Sequence, residues 1–200
     1  MTDHERLVQL LATRSARKGQ FTLASGAQST LYIDARMTAM SPEGLSTVGP
    51  LGLKALRESG WNPDSVGGLT LGADPVSYAI AYASALEASA REAQANAGAD
   101  PALAVAPLRA FTVRKEAKVH GTGKLIEGPF HPTDRVAVVE DVITTGGSAL
   151  KAIDAIRAAG ATVVGVIALV DREEGGRVRI EQAGYPVITL TTATEIVAVM

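Results

Sequence analysis

Glu140 and Asp141 directly follow an unbroken apolar run, Val136 to Val139, and precede Thr144, Thr145, Gly146, Gly147 and Ser148. Adjacent carboxylates suit the two hydroxyls of a vicinal diol or one divalent cation. Neighbouring strand side chains point to opposite faces, which argues against a close acid–base dyad. The small residues after them let backbone N–H groups approach a ligand. A helical pattern starts at once, with Ala149, Leu150, Ile153 and Ile156 at helical spacing and Gly160 as its stop. Open N–H groups at a helix N-terminus favour a phosphate. No lysine follows the glycines, so the loop is not of the Walker type. The plain alternative is an ordinary strand–turn–helix unit with acidic turn residues.

A second chemical cluster is basic. Five of the nineteen Lys and Arg residues lie between Arg109 and Lys124, where Glu116 is the only acid. Arg114 to Pro129 is polar, punctuated by glycine and too long for an ordinary connection, which predicts a lid-like loop. A basic loop beside a phosphate cradle can neutralise a polyanion and close over it. Arg172 stands in a third charged turn, Asp171 to Gly176, just after the apolar stretch Thr162 to Val170.

The elements that must position these groups can be read from periodicity. Thr2 and Glu5 have capping-box spacing, and Leu7, Leu10 and Leu11 form a stripe, predicting a helix from about Asp3 to Arg17 closed by Gly19. Phe21–Leu23 and Thr30–Ile33 read as strands joined through Ser25 and Gly26. Ser41-Pro42 opens a helix that ends at Ser59 before Gly60. Trp61 reads as a lid on the core. Val66–Leu71 is a strand, Gly72–Pro75 a turn and Val76–Asn96 a long helix. After a loop through Pro101, Leu103–Val105 and Ala110–Val113 are strand segments. Val136–Val139, Thr162–Val170 and Val187–Thr191 complete the strands. Strands alternating with helices predict an α/β fold with a parallel sheet covered on both faces. Ligands in such sheets bind outside the strand C-termini, so the turns after Leu71, Val113, Val139 and Val170 should share one crevice.

With 200 residues the chain suits one domain, 1–200. A net charge of −2 argues against a general nucleic-acid binder. The absence of cysteine excludes disulfides and thiolate metal sites and agrees with a reducing, cytoplasmic setting. Neither a signal peptide nor a membrane span is expected: the apolar stretch Pro75–Ala90 is broken by Ser77, Ser84, Glu87 and Ser89. His4 and His131 read as surface residues.

The central stretch resembles the phosphoribosyl-pyrophosphate (PRPP) motif of type I phosphoribosyltransferases. The loop Arg114-Lys115-Glu116-Ala117-Lys118-x-His120-Gly121-x-Gly123 resembles, more narrowly, the catalytic loop of the orotate phosphoribosyltransferases. Phe21-Thr-Leu-x-Ser-Gly with Ser29 and Tyr32-x-Asp-x-Arg36 resembles that family's N-terminal hood, and Asp171-Arg172-x-Glu-x-Gly176 its orotate-side turn. The resemblance spans nearly the whole chain. It implies a type I phosphoribosyltransferase fold with a small hood from about residues 1–40 and a mobile catalytic loop at about 114–129. The implied reaction joins orotate and PRPP to give orotidine 5′-monophosphate and pyrophosphate, a step of pyrimidine biosynthesis.

The resemblance also implies roles. Arg114, Lys115, Lys118 and His120 would contact pyrophosphate, with Lys118, His120 and Asp141 catalytic. Glu140 and Asp141 would lie by the ribose hydroxyls, with Val142 and Ile143 in the same PRPP-binding segment. Thr144, Thr145, Gly146, Gly147 and Ser148 would hold the 5-phosphate. Thr144 and Arg172 would contact orotate, with Tyr32 and Ile33 beside the base. Mg2+ would be held mainly through PRPP, with no direct protein ligand, and a homodimer would share its catalytic loops in trans. Two departures stand out. Ala24 replaces a common hood lysine, leaving Arg36 as a candidate substitute, and the Gly72-Ala73 turn lacks a lysine found in some relatives. The family's non-proline cis peptide is expected at Leu71-Gly72 or Gly72-Ala73. Rival readings are a phosphoribosyltransferase for another base and a non-catalytic PRPP-sensing regulator.

Overall fold

Local sequence signals set most element boundaries in the computed structural model, which describes residues 1–22, 28–96, 106–116 and 124–200. The first helix, α1 (Asp3–Arg14), carries the expected capping box between Thr2 and Glu5. It stops before Arg17, because β1 (Ala16–Thr22) takes those residues into an antiparallel pair with β2 (Gln28–Ile33). Ladder hydrogen bonds there outweigh the helical continuation, and Gly19 lies within β1 rather than at a helix end. A four-residue helix, α2 (Arg36–Ala39), follows, unforeseen because it is only one turn. α3 (Pro42–Ser59) starts and ends where Ser41-Pro42 and Gly60 predict.

Next come β3 (Ser65–Leu69) and α4 (Ala73–Asn96). The helix begins earlier than Val76 because Asp74 and Pro75 fit its first turn, where no N–H partner is needed. The cis peptide is at Thr70-Leu71, one bond before the expected positions. β4 (Arg109–Val113) pairs with a short β5 (Ile126–Glu127), so the long polar segment contains a strand. The Leu103–Val105 strand and the Ser25-Gly26 turn lie outside the described residues. β6 (Arg135–Ile143) continues through Glu140 and Asp141, because β7 (Thr162–Asp171) pairs with it to Ile143. α5 (Gly147–Ala158) lies between them, and α6 (Gly176–Gln182), β8 (Val187–Thr192) and α7 (Ala193–Ala198) complete the chain. α6 and α7 were not expected; α7 has its own capping box, Thr192 with Glu195.

The main sheet has the order β5-β4-β3-β6-β7-β8, parallel except for β5. Its strands divide their side chains between two cores. Ala137, Val139, Ile167 and Leu169 join Leu7, Leu11, Val48, Ile80 and Ile196 on one face. Val136, Val138, Val166 and Ala168 join Ile153, Ile156 and Ile180 on the other. Both sheet faces are therefore covered by helices, as the continuous apolar strands require. Trp61 packs against the first core, and a Cβ on Gly165 would lie 2.4 Å from its ring. From β3 the chain crosses over to β4 on one side, whereas from β6 it crosses to β7 on the other. The strand order reverses between β3 and β6, the usual place for a ligand crevice.

Candidate active site

Four turns meet at the C-terminal edge of the parallel strands. The β3 turn is tied to β4, with Thr70 N–H donating to Val113 O (2.8 Å). Asp74, buried in the first turn of α4, accepts from Thr70 Oγ1 (2.7 Å) and Thr112 Oγ1 (2.9 Å). The β7 turn is tied to β6 through Arg172 N–H and Ile143 O (2.9 Å). A Cβ on Gly176 would lie 2.3 Å from Thr144 O, so only glycine lets α6 start against the β6 loop. On the other flank, a Cβ on Gly72 would lie 2.4 Å from both carboxylate oxygens of Asp141. These close approaches draw the β3, β6 and β7 turns into one site.

Glu140 is buried, and its Oε2 has no hydrogen-bond partner among the described residues. Burial, then the charge of Asp141 and hydrogen bonding to its side chain, raise the Glu140 carboxyl well above its ordinary range. At the strand end the Asp141 carboxylate turns back to accept its neighbour's Val142 N–H (2.9 Å). Burial also raises Asp141, offset in part by that N–H bond and by the positive charge of Arg36. Arg36 is itself clamped to Asp34, with Nε to Oδ1 at 2.7 Å and Nη2 to Oδ2 at 2.9 Å. This pair holds Asp34 below its usual range.

The loop after β6 leads into α5 through Gly146 in the left-handed conformation (φ 75°), where a side chain is strained. Among the described residues no side chain caps α5, leaving its first N–H groups open to a ligand. Thr145 and Ser148 are exposed around it. Val142 is half-buried and Ile143 fully buried in the cores, so these two offer a ligand backbone rather than side chains.

Arg172 reaches the same edge from β7. It is buried, with Nη2 on Ser29 Oγ (3.1 Å) and Glu174 Oε1 (2.6 Å), while Nε is buried without a partner among the described residues. Tyr32 is partly exposed beside Phe21, ring centroids 5.4 Å apart. Ile33 is not brought to the crevice: its side chain is committed to the core. Arg114 and exposed Lys115 follow β4, and Arg114 N–H donates to Leu125 O (2.8 Å), joining the two ends of the basic segment. Lys118, His120 and Ala24 lie outside the described residues. The sequence reading missed the structural weight of Gly72, Asp74 and Glu174. Only Glu174 carried a signal, as the third acid of a charged turn.

Among the described residues no group of three or more His, Cys, Asp or Glu converges as a metal cage. Without such a cage, an ion such as Mg2+ would draw its ligands mainly from substrate oxygens and water. Among the described residues no helix is long and apolar enough to cross a membrane.

A Phosphoribosyl transferase domain model matches residues 117–191. The orotate phosphoribosyltransferase of Aquifex aeolicus is 42% identical over 199 residues, covering 98% of both chains. Among solved structures, Mycobacterium tuberculosis orotate phosphoribosyltransferase in complex with Fe(III) dicitrate is 36% identical with a TM-score of 0.76, covering 98% of this chain and 99% of that one. The same enzyme in complex with PRPP aligns over the same shares at 33% identity and a TM-score of 0.72.

Proposed function

This chain belongs to the orotate phosphoribosyltransferase family, and from that membership we infer that its crevice transfers the 5-phosphoribosyl group of PRPP to orotate. The products are orotidine 5′-monophosphate and pyrophosphate, a step in making pyrimidine nucleotides. One observation carries the reading: among the described residues, two buried polar atoms at the same strand edge lack partners, and they want opposite ligands. Glu140 Oε2 needs a donor, which a ribose hydroxyl supplies; Arg172 Nε needs an acceptor, which the carboxylate of orotate supplies.

In this reading Glu140 and Asp141 accept from the ribose hydroxyls, and those bonds favour the ionised form of Glu140. Thr144, Thr145, Gly146, Gly147 and Ser148 take the 5-phosphate at the uncapped α5 N-terminus. Thr144 and Arg172 take orotate, with Tyr32 beside the base. The β1–β2 ribbon serves as the hood, and Arg36 supplies positive charge from that side in place of the lysine absent at Ala24. Lys115 and Arg114 start the catalytic loop, whose Lys118 and His120 stabilise the negative charge that builds on departing pyrophosphate. Mg2+, bound mainly through PRPP oxygens, would spread that charge further. We also propose a cytoplasmic homodimer in which each loop completes the partner's site. Tyr78, Tyr82 and Leu86, exposed on successive turns of α4, supply an apolar face suited to such an interface.

The test is orotate consumption, followed by absorbance, with PRPP and Mg2+, run beside uracil, hypoxanthine and adenine. Turnover of orotate alone is expected. Turnover of another base in preference, or PRPP binding without turnover of any base, would refute the assignment.

A further inference from the structure

A buried guanidinium needs a counter-charge, and Arg172 is only 7% exposed. Its counter-ion here is Glu174, two residues on in the same turn. Nε and Nη2 form one side-on edge of the guanidinium, the edge that grips a carboxylate with two parallel bonds. Glu174 uses only half of it: Oε1 takes Nη2 at 2.6 Å, and Nε stays buried with no partner among the described residues.

The two members of the pair are not held equally. The backbone around Arg172 is fixed from several sides. Its N–H bonds Ile143 O, and the next residue, Glu173, sits in the left-handed region (φ 59°). Glu173 N–H donates to Asp171 Oδ1 (2.8 Å), while its carboxylate accepts from Thr194 N–H (2.8 Å) and Thr194 Oγ1 (2.6 Å) at the start of α7. The Arg172 side chain is 5% exposed, whereas that of Glu174 is 35% exposed. Glu174 can therefore swing into water, while Arg172 stays in place against Ser29.

We propose that Glu174 is an exchangeable counter-ion for Arg172: an internal competitor that holds Nη2 in the empty site and yields it to the carboxylate of orotate. This rests on the assignment of Arg172 to that carboxylate. The incoming carboxylate takes Nη2 and Nε together, so it wins by satisfying the atom that Glu174 leaves unpaired. Binding exchanges one carboxylate for another, and the buried arginine is never left without a counter-charge. When the nucleotide product leaves, Glu174 returns to Nη2. The competitor thus weakens orotate and orotidine 5′-monophosphate together.

Glu174→Gln keeps the length of the side chain and removes its charge. Losing a part-exposed competing charge should tighten orotidine 5′-monophosphate in calorimetry, and lower the KM for orotate, by about fivefold. PRPP affinity should change less than twofold. Glu174→Ala should act in the same direction, and neither substitution should matter in an Arg172→Ala background. If Arg172→Ala selectively weakens orotate while both Glu174 variants leave it unchanged or weaker, the competitor role is overturned and the Arg172 assignment stands. If Arg172→Ala leaves orotate binding unchanged, the assignment falls, and the competitor role falls with it.

Discussion

Gly72→Ala separates a ligand contact from a folding contact. The new Cβ would lie 2.4 Å from both oxygens of Asp141 and 2.5 Å from its Cγ, where ordinary contact begins near 3.4 Å. The carboxylate must therefore retreat by about 1 Å, enough to take a normal hydrogen bond beyond its working distance. If Asp141 accepts from a ribose hydroxyl, one charge-assisted bond is lost. That is about 1.5–3 kcal/mol, or roughly 10- to 150-fold in PRPP affinity. Folding should suffer less, because the carboxylate can rotate and gives up only its bond to Val142 N–H. A cost of about 1 kcal/mol moves the melting temperature by roughly 2–4 °C in a chain of this size. The assay is calorimetric titration of PRPP into wild type, Gly72→Ala, Asp141→Ala and the double variant, with melting temperatures alongside. In the Asp141→Ala background the added methyl has nothing to displace, so its effect on PRPP should largely vanish. An equal loss in both backgrounds, or no loss in either, would refute the argument.

Three further outcomes are expected. Lys118→Ala should lower kcat and kcat/KM together by orders of magnitude while leaving orotate affinity nearly unchanged; a preserved kcat with a raised KM would contradict a role on developing charge. Burial, then the charge of Asp141, raises Glu140 above its ordinary 4.5, so the native state holds a proton that the unfolded chain releases; the stability this gives is complete below 4.5 and is lost as pH rises through the native value. Glu140→Gln should accordingly melt higher than wild type at pH 8 and alike at pH 4, and a pH-independent difference would contradict it. Mixing Lys118→Ala with Asp141→Asn chains under subunit exchange should return about a quarter of wild-type activity if loops close in trans in an isologous dimer, and none at any ratio if they close in cis.

The local parts of this fold were legible because local chemistry decides them. The α3 boundaries follow from Ser41-Pro42 and Gly60, and the capping box of α1 is written in Thr2 and Glu5. The apolar runs at Val136 and Thr162 can only be strands buried on both faces, and both are. The errors arose where a distant partner decides. Arg17 to Gly19 read as the end of a helix, but β2 supplies a strand ladder for them. Glu140 to Ile143 read as a turn, but β7 extends alongside and keeps them in the sheet.

The same distinction applies within the crevice, with a chemical consequence. The acids, the glycine loop and Arg172 each announce themselves within a few residues of chain. Their environment does not, because it is made by contacts across the fold: Gly72 against Asp141, Gly176 against Thr144, Ser29 against Arg172. Residue type alone makes Glu140 and Asp141 two equivalent carboxylates. Burial makes them unequal, raising Glu140 well above its ordinary range, while Asp141 is partly relieved by Val142 N–H and Arg36. Among the described residues it also leaves an acceptor on Glu140 and a donor on Arg172 unpaired in the same strand-end site. Under the proposed function, the ribose hydroxyls of PRPP would supply the donor that Glu140 lacks and the planar carboxylate of orotate the acceptor that Arg172 lacks. Restoring those partners on binding is where the selectivity of the crevice should arise.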